Sequence, residues 1–269
     1  MKTWMEELFG TKKPIIGLLH LKALPGDPFY EEAGGMKAVI EQAEADLMAL
    51  QNGGVDGVLM TNEFSLPYEK KVAPVTLAAM GRVAGILEQK RTVPFGAEAI
   101  YDDGATIELC AAVGADFTRC VFTGAYAGDL GLVDRDIAKT LRRRRALGMS
   151  GLKMFYFVNS EGEVYLNDRD EMEVTKTMLF NCRPDALVVA GAMAGSNPEN
   201  SLITKIKEAS GDTPVVCGTG CKEENIGQLL PLCDGAFVGT AFKAGGNFAS
   251  PIDEQRVRSF MDKVRELRD

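Results

Sequence analysis

Hydrophobic positions in this chain collect into eight short runs, each ending at a small or polar residue. They are IIGLLHL (15–21), DGVLMTN (56–62), PFGAEAIY (94–101), ADFTRCVF (115–122), GLKMFYFV (151–158), DALVVAG (185–191), PVVCGTG (214–220) and GAFVGTA (235–241). The runs are nearly continuous rather than alternating, the pattern of strands covered on both faces in a parallel sheet. Between them lie stretches of helical period: 35–51, 75–90, 104–113, 136–147, 170–181, 199–210, 223–231 and 253–267. Strict alternation of eight strand–helix units predicts an α/β fold, a single (β/α)8 TIM barrel. A doubly wound open sheet is the competing architecture, and the even spacing of eight repeats favours closure. Four segments, NGGVDGV, AVGADFT, CRPDALV and PLCDGAF, end a helix and place an acid just before the next strand. No linker or low-complexity stretch interrupts the pattern, so residues 1–269 are expected to form one domain. The leading MKTWMEELFGTKKP reads as a short amphipathic helix that uses Trp4, Leu8 and Phe9 to cover the bottom of the fold.

Composition narrows the partners. The 269 residues are 46% hydrophobic and carry a formal net charge of −8. This acidity argues against nucleic acid as the main partner. No apolar run is long enough to span a bilayer, and the acids near the start argue against a signal peptide. Six scattered cysteines without a CxxC pair, and one histidine, do not make a usual zinc set. They read as reduced core residues of a cytoplasmic protein. Cys217 and Cys221 bracket a glycine loop where a reactive thiol is a lesser reading. The basic run LRRRRALG (141–148) suits a solvated helix end, with a polyanion or membrane-surface patch as the other reading.

In a TIM barrel the chemistry sits at the C-terminal ends of the strands, which selects the candidates. Strands seven and eight end in CGTG and VGTA. Glycines allow close backbone approach, and N–H groups ahead of a helix attract anions. Gly218, Thr219, Gly220, Gly239 and Thr240 are therefore expected to cradle a phosphate; the alternative is that they only permit tight turns and close packing. Glu98, Arg119 and Lys153 fall on consecutive strands and are expected to form an ionic layer inside the barrel, structural or catalytic. Asp102 shares the strand parity of Glu98 and is expected to reach the cleft. A carboxylate pair there could hold a metal or move protons; a divalent metal is left open without support, and no metal ligand is assigned. His20, at the end of strand one, is a candidate base or a hydrogen-bonded rim residue. Asn62 and Glu63 end strand two, and Asn62 is a candidate substrate contact.

With these motifs in view, the chain resembles the BtpA/SgcQ family. The resemblance is carried by HLKALPGDP, GGVDGVLMTN, VAPVTLAAM, FTGAYAGDLG and VGTAFKAGG…PIDEQRVRSFM, and it runs through nearly the whole chain. It implies a TIM barrel similar to the ribulose-phosphate-binding group. Departures fall at the reacting end. The family pattern expects strand three to resemble GVNVLRND, whereas this chain has GAEAIYDD, with Glu98 for an amide and Tyr101 for an arginine. MTNEF places Thr61 before Asn62, and MFYFVNSEGE lacks an expected Asp and Lys-His. The first functional expectation is an enzyme acting on a phosphorylated small molecule, a sugar phosphate or phosphoribosyl-type compound, by lyase (aldol) or isomerase chemistry. In that reading Glu98, Asp102, Lys153 and His20 surround the reacting carbons. The second is a non-enzymatic assembly factor for a membrane complex of the photosystem I type, with peripheral membrane association and no membrane-spanning segment. A regulatory phosphate sensor is the third. A homo-oligomer is expected in each case.

Overall fold

The computed structural model describes residues 2–192 and 195–268. Eight parallel strands close into a barrel: β1 (Ile15–His20), β2 (Gly57–Thr61), β3 (Phe95–Glu98), β4 (Phe117–Cys120), β7 (Lys153–Phe157), β9 (Ala186–Val189), β10 (Val215–Cys217) and β11 (Ala236–Val238). The order runs β1-β2-β3-β4-β7-β9-β10-β11 and returns to β1, so sequence neighbours are neighbours in space. Eight helical segments wrap the outside: α2 (Gly35–Gly53), α3 (Pro74–Leu87), α4 (Asp103–Val113), α5 (Ile137–Ala146), α6 (Glu171–Cys182), α7 (Asn200–Ser210), α8 (Ile226–Leu229) and α9 (Glu254–Arg268). The TIM-barrel expectation therefore stands. The seventh crossover has a shorter helix than its periodicity implies. Its helix passes at Leu230 into a 3-10 turn that carries Pro231, a residue with no N–H to donate to a longer α-helix.

The acid before every second strand has a physical role. One carboxylate oxygen of Asp56 accepts from the Ile15 N–H (2.7 Å), and the Asp56 N–H donates to the Ile15 carbonyl (3.0 Å). Asp116 repeats the arrangement on Phe95, Asp185 on Met154 and Asp234 on Val215. Each acid thus ties the start of one strand to its neighbour, where the barrel ladder would leave a donor unpaired.

Inside the barrel, alternate side chains form an apolar cluster of Ile16, Leu18, Leu59, Phe117, Phe155, Val188, Val216 and Phe237. Helix α1 (Trp4–Phe9), capped by Thr3 and Glu6, inserts Met5 and Phe9 into its lower end. Phe9 meets Phe117 edge-on at 5.3 Å, and Trp4 meets Phe155 at 5.6 Å. Two inward glycines make room: a Cβ on Gly57 would stand 2.7 Å from Phe9, and one on Gly96 would stand 2.6 Å from Phe117. The bottom is plugged, leaving the other end as the open mouth.

One feature of the upper rim is not in the run pattern. Three short strands, β5 (Ala125–Gly128), β6 (Gly131–Asp134) and β8 (Glu163–Tyr165), form an antiparallel sheet ordered β6-β5-β8. It is built from the insertions after β4 and β7. Tyr126 and Val133 are buried, and Tyr126 stacks on Tyr165 (4.9 Å). Leu132 and Val164, which flank Ala127 in the register, are exposed.

Candidate active site

The inward parity that fills the lower barrel with apolar side chains places polar ones at its upper end. Thr61 pairs with His20 on one side and with Glu98 on the other, so all three ends lie at one level. Arg119, two residues beyond Phe117, reaches the same level on β4. Above them opens a cavity of about 760 Å³ whose lining includes His20, Glu63, Glu98, Arg119, Glu161 and the glycine loops after β10 and β11.

Glu98 and Arg119 form a buried pair, side chains 6% and 8% exposed, with Nε donating to Oε2 at 3.1 Å. The guanidinium is held from above and beside: Nη1 donates to the Gly218 carbonyl (3.5 Å), and the rings of Phe237 (4.8 Å) and Phe157 (5.2 Å) flank it. Burial raises the Glu98 carboxyl to about 7, and the nearby Arg119 charge opposes this without cancelling it. Near neutral pH this group therefore both holds and releases a proton.

His20 is buried, and neither ring nitrogen has a hydrogen-bond partner. Burial lowers it to about 4, with the Glu63 carboxylate pulling the other way. At neutral pH the ring is uncharged, so its 3.7 Å approach to Glu63 Oε2 is not an ion pair. Glu63 is held by Thr61 Oγ1 (3.2 Å) and by the Tyr68 hydroxyl, which donates to its main-chain oxygen (3.0 Å) and to Oε1 (3.3 Å). The His20 ring lies against Gly239, where a Cβ would come 3.0 Å from Cε1. On another side stands Phe248, 5.7 Å away. Phe248 is itself fixed by buried Lys243, whose Nζ donates to its carbonyl (2.6 Å) and sits 5.1 Å from its ring. An unbonded imidazole costs on the order of 1–3 kcal/mol per orphaned group, and here it faces a cavity that a polar ligand can fill. Glu161 adds a third acid, also raised by burial, with Oε1 unpartnered.

The loops after β10 and β11 line the mouth beside His20. Their glycines are demanded by packing. A Cβ on Gly218 would stand 2.6 Å from Val188, and one on Gly220, at φ +73°, would stand 2.1 Å from the Asn197 nitrogen. The Thr219 hydroxyl accepts from the Gly191 N–H (2.9 Å) and donates to the Ser196 carbonyl (3.0 Å). Its role here is to join two loops. Thr240 opens a 3-10 turn, Thr240–Phe242, behind Gly239; the first N–H groups of such a turn have no partner within it. Lys222 and Arg256 line the same wall, as do Glu223 and Glu224.

Three expected site residues lie elsewhere. Lys153 has the parity of Arg119 but is paired with Phe117, one layer lower, so its Nζ emerges at the plugged end. There it bonds Asp185 (3.2 Å) and lies over Trp4 (5.1 Å); the ionic layer is a Glu98–Arg119 pair without it. Asp102 does not continue the parity of Glu98, because β3 ends and Tyr101 turns the chain at φ +65°. Its carboxylate caps α4 at the Ala105 N–H (3.1 Å) and takes bonds from Lys71 Nζ (2.8 Å) and the Val72 N–H (3.0 Å). Asn62 is buried and accepts from the Ile100 N–H (2.8 Å), tying two strand ends together. Glu63, one residue on, is the group that reaches the cavity. Tyr68 and Glu161, in insertions outside the apolar runs, had no periodic signal. Among the described residues no cluster of three His, Cys, Asp or Glu side chains is placed to hold a metal ion. All six cysteines are free of disulfides.

A closed barrel of eight parallel strands, with buried titratable side chains lining a cavity at the C-terminal strand ends, is a TIM barrel. Phosphoribosyl anthranilate isomerase from Thermus thermophilus has the same fold, at TM-score 0.57 and 11% identity over 95% of this chain and 100% of that one. More specifically, the chain belongs to the BtpA family, whose model matches residues 11–266. It is 44% identical over 266 residues to the putative sgc region protein SgcQ of Escherichia coli K12, covering 99% of both chains. It is 32% identical over 263 residues to the photosystem I biogenesis protein BtpA of Synechocystis, covering 97% of this chain and 91% of that one. No helix among the described residues is long and apolar enough to cross a membrane.

Proposed function

We propose that this protein is an enzyme acting on a phosphorylated small molecule, a sugar phosphate or phosphoribosyl-type compound, by a reaction that moves a proton. The observation that carries the reading is the Glu98 carboxyl at the cavity floor, raised to about 7 beside Arg119. A group that titrates near the working pH is best suited to take and return a proton. Neutral His20 supplies a second site, able to donate from one ring nitrogen and accept at the other. Arg119, with donors beside Glu98, would oppose negative charge forming on a substrate oxygen. The phosphate is assigned to the wall formed by Gly218–Gly220, Gly239 and Thr240, with Lys222 and Arg256 on the same side. Relatives in fold such as phosphoribosyl anthranilate isomerase support the substrate class by analogy. Isomerisation and aldol cleavage both fit this set; a Schiff base through Lys153 does not.

The test is thermal unfolding against a panel of sugar phosphates and phosphoribosyl compounds. A true ligand stabilises by about 2.7 kcal/mol at a hundred times its Kd. The matching compound should raise Tm with concentration and be turned over, and Glu98→Gln should bind it while losing turnover by about 100-fold or more. A panel that leaves Tm unmoved would overturn the substrate class. A Glu98→Gln variant with full turnover would overturn the proton-transfer role.

A further inference from the structure

The mouth contains a further cation, Arg135, that the site above does not use. Arg135 follows β6 and enters the cavity from the insertion after β4. Its side chain is 3% exposed, the rest of the residue's exposure lying on its main chain. Only one arm of its fork is engaged. Nη1 donates to the Tyr101 carbonyl (2.8 Å) and to Asp103 Oδ1 (3.4 Å). Nε and Nη2, the side edge of the guanidinium, are buried and have no partner.

Nothing in its surroundings uses that edge. Among the described residues Asp103 is its one ion-pair partner, and that carboxylate also accepts from the Thr140 hydroxyl and lies 3.9 Å from Lys71. Glu163 shares the neighbourhood of Arg135 around Tyr101 and Tyr126, and Glu161 lines the same cavity; each has one unpartnered oxygen. The other oxygen of Glu163 accepts from Ser160 (2.7 Å). A buried guanidinium is retained at a cost unless its donors are satisfied. The Nε–Nη2 edge presents two parallel N–H groups, the pattern that grips a carboxylate or phosphate with two bonds. Arg135 is held at its far arm by the main chain of Tyr101, so the free edge is already oriented.

Topology places the segment that carries Arg135 across the barrel from the last glycine loop. Arg135 belongs to the crossover after the fourth barrel strand, and Gly239–Thr240 follow the eighth, half a turn round the barrel. We propose that Arg135 is a second anion-binding point of the mouth, and that its ligand carries two oxyanionic groups. One, a phosphate, lies against the loops after β10 and β11; the other, a carboxylate or second phosphate, lies on the Nε–Nη2 edge of Arg135. The first half rests on the reading of the preceding subsection. The second stands on Arg135 alone.

Calorimetric titration of the full chain tests the two halves separately. The probes are glycerol 3-phosphate, 3-phosphoglycerate, fructose 1,6-bisphosphate and malonate. The two-anion phosphates should bind about 10-fold or more tighter than glycerol 3-phosphate, the worth of one bidentate charged contact. Comparing 3-phosphoglycerate with the bisphosphate shows whether the second group is carboxylate or phosphate. Arg135→Gln should erase the advantage and leave glycerol 3-phosphate within about twofold, and Arg135→Lys should recover only part of it. Equal affinity of the wild-type chain for one- and two-anion phosphates would overturn the proposal without any variant. So would an Arg135→Gln chain that weakens every probe alike. If no phosphate binds but malonate does, and Arg135→Gln abolishes it, the phosphate reading fails while the Arg135 site survives.

Discussion

At His20 and Glu98 burial moves two protons in opposite directions, and the signs can be worked out. The folded value of His20, about 4, lies below its unfolded 6.5, so the stability it contributes is present above pH 6.5 and lost as pH falls through 4. Glu98 is raised from 4.5 to about 7, so its contribution is full below pH 4.5 and lost as pH rises through 7. Tm measured from pH 4 to 7.5 should therefore fall less steeply towards acid in His20→Gln than in the wild-type chain. In Glu98→Gln the decline towards pH 7 should be reduced instead. Parallel profiles for wild type and both variants would show that burial perturbs neither group. His20, Glu98 and Arg119 were legible in the sequence because each stands at or near the C-terminal end of a strand, and the structure brings all three to one cavity. Parity failed where the strands stop: it could not foresee the left-handed turn at Tyr101 that diverts Asp102 to a helix cap. Lys153 stands first in its strand, an early position that already argued for a deep placement, and the register between β4 and β7 sets it one layer below Arg119.

Elements were read from the sequence almost without loss, since eight runs and eight helical stretches each found their strand or helix. The antiparallel sheet on the rim escaped because its strands, AYAG, GLVD and EVY, are only three or four residues long. Such segments carry too little apolar periodicity to be separated from loop. That gap had a cost at the site, since Arg135 hangs from this sheet. The recurrent acids were visible as a motif, but their action was not, because the partner N–H lies one strand and 19 to 41 residues away. Asp56 has the most complete set, adding Arg268 to the Ile15 N–H. Replacing Asp56 with Ala should cost about 1–3 kcal/mol in urea denaturation, for a charged acceptor lost from a part-buried N–H. Asn, which keeps an acceptor, should cost less. Equal loss in both variants would assign the effect to the Arg268 ion pair rather than to the strand.

Over the whole molecule, the barrel is apolar and sealed at one end and polar and open at the other. The seal was foreseen as a short helix under the fold, though the depth of its insertion was not. Phe9 is 7% exposed and wedged between Gly57 and Phe117. Truncating Phe9 to Ala should destabilise the chain by about 3–5 kcal/mol, as for a buried phenylalanine. Ligand affinity at the mouth should stay the same, since Ile16, Leu59 and Phe155 lie between. A Phe9→Ala chain that folds but loses binding would mean that the two ends are coupled through the aromatic stack. The two glycine loops were legible as a candidate anion site, the basis of the proposed substrate class; Arg135, proposed to hold the other end of the ligand, came from an insertion outside the apolar runs.

The alternate placing of the bracing acids gives the closed sheet seams. Asp56 binds the first strand to the second, Asp116 the third to the fourth, Asp185 the fifth to the sixth and Asp234 the seventh to the eighth. At the lower ends of the junctions between these couples backbone bonds stand instead, such as the Val58 N–H to the Pro94 carbonyl (3.0 Å); at the upper end Asn62 ties the second strand to the third. The sealed end is thus a ring of four like quarters, and it should open more readily between quarters than within one.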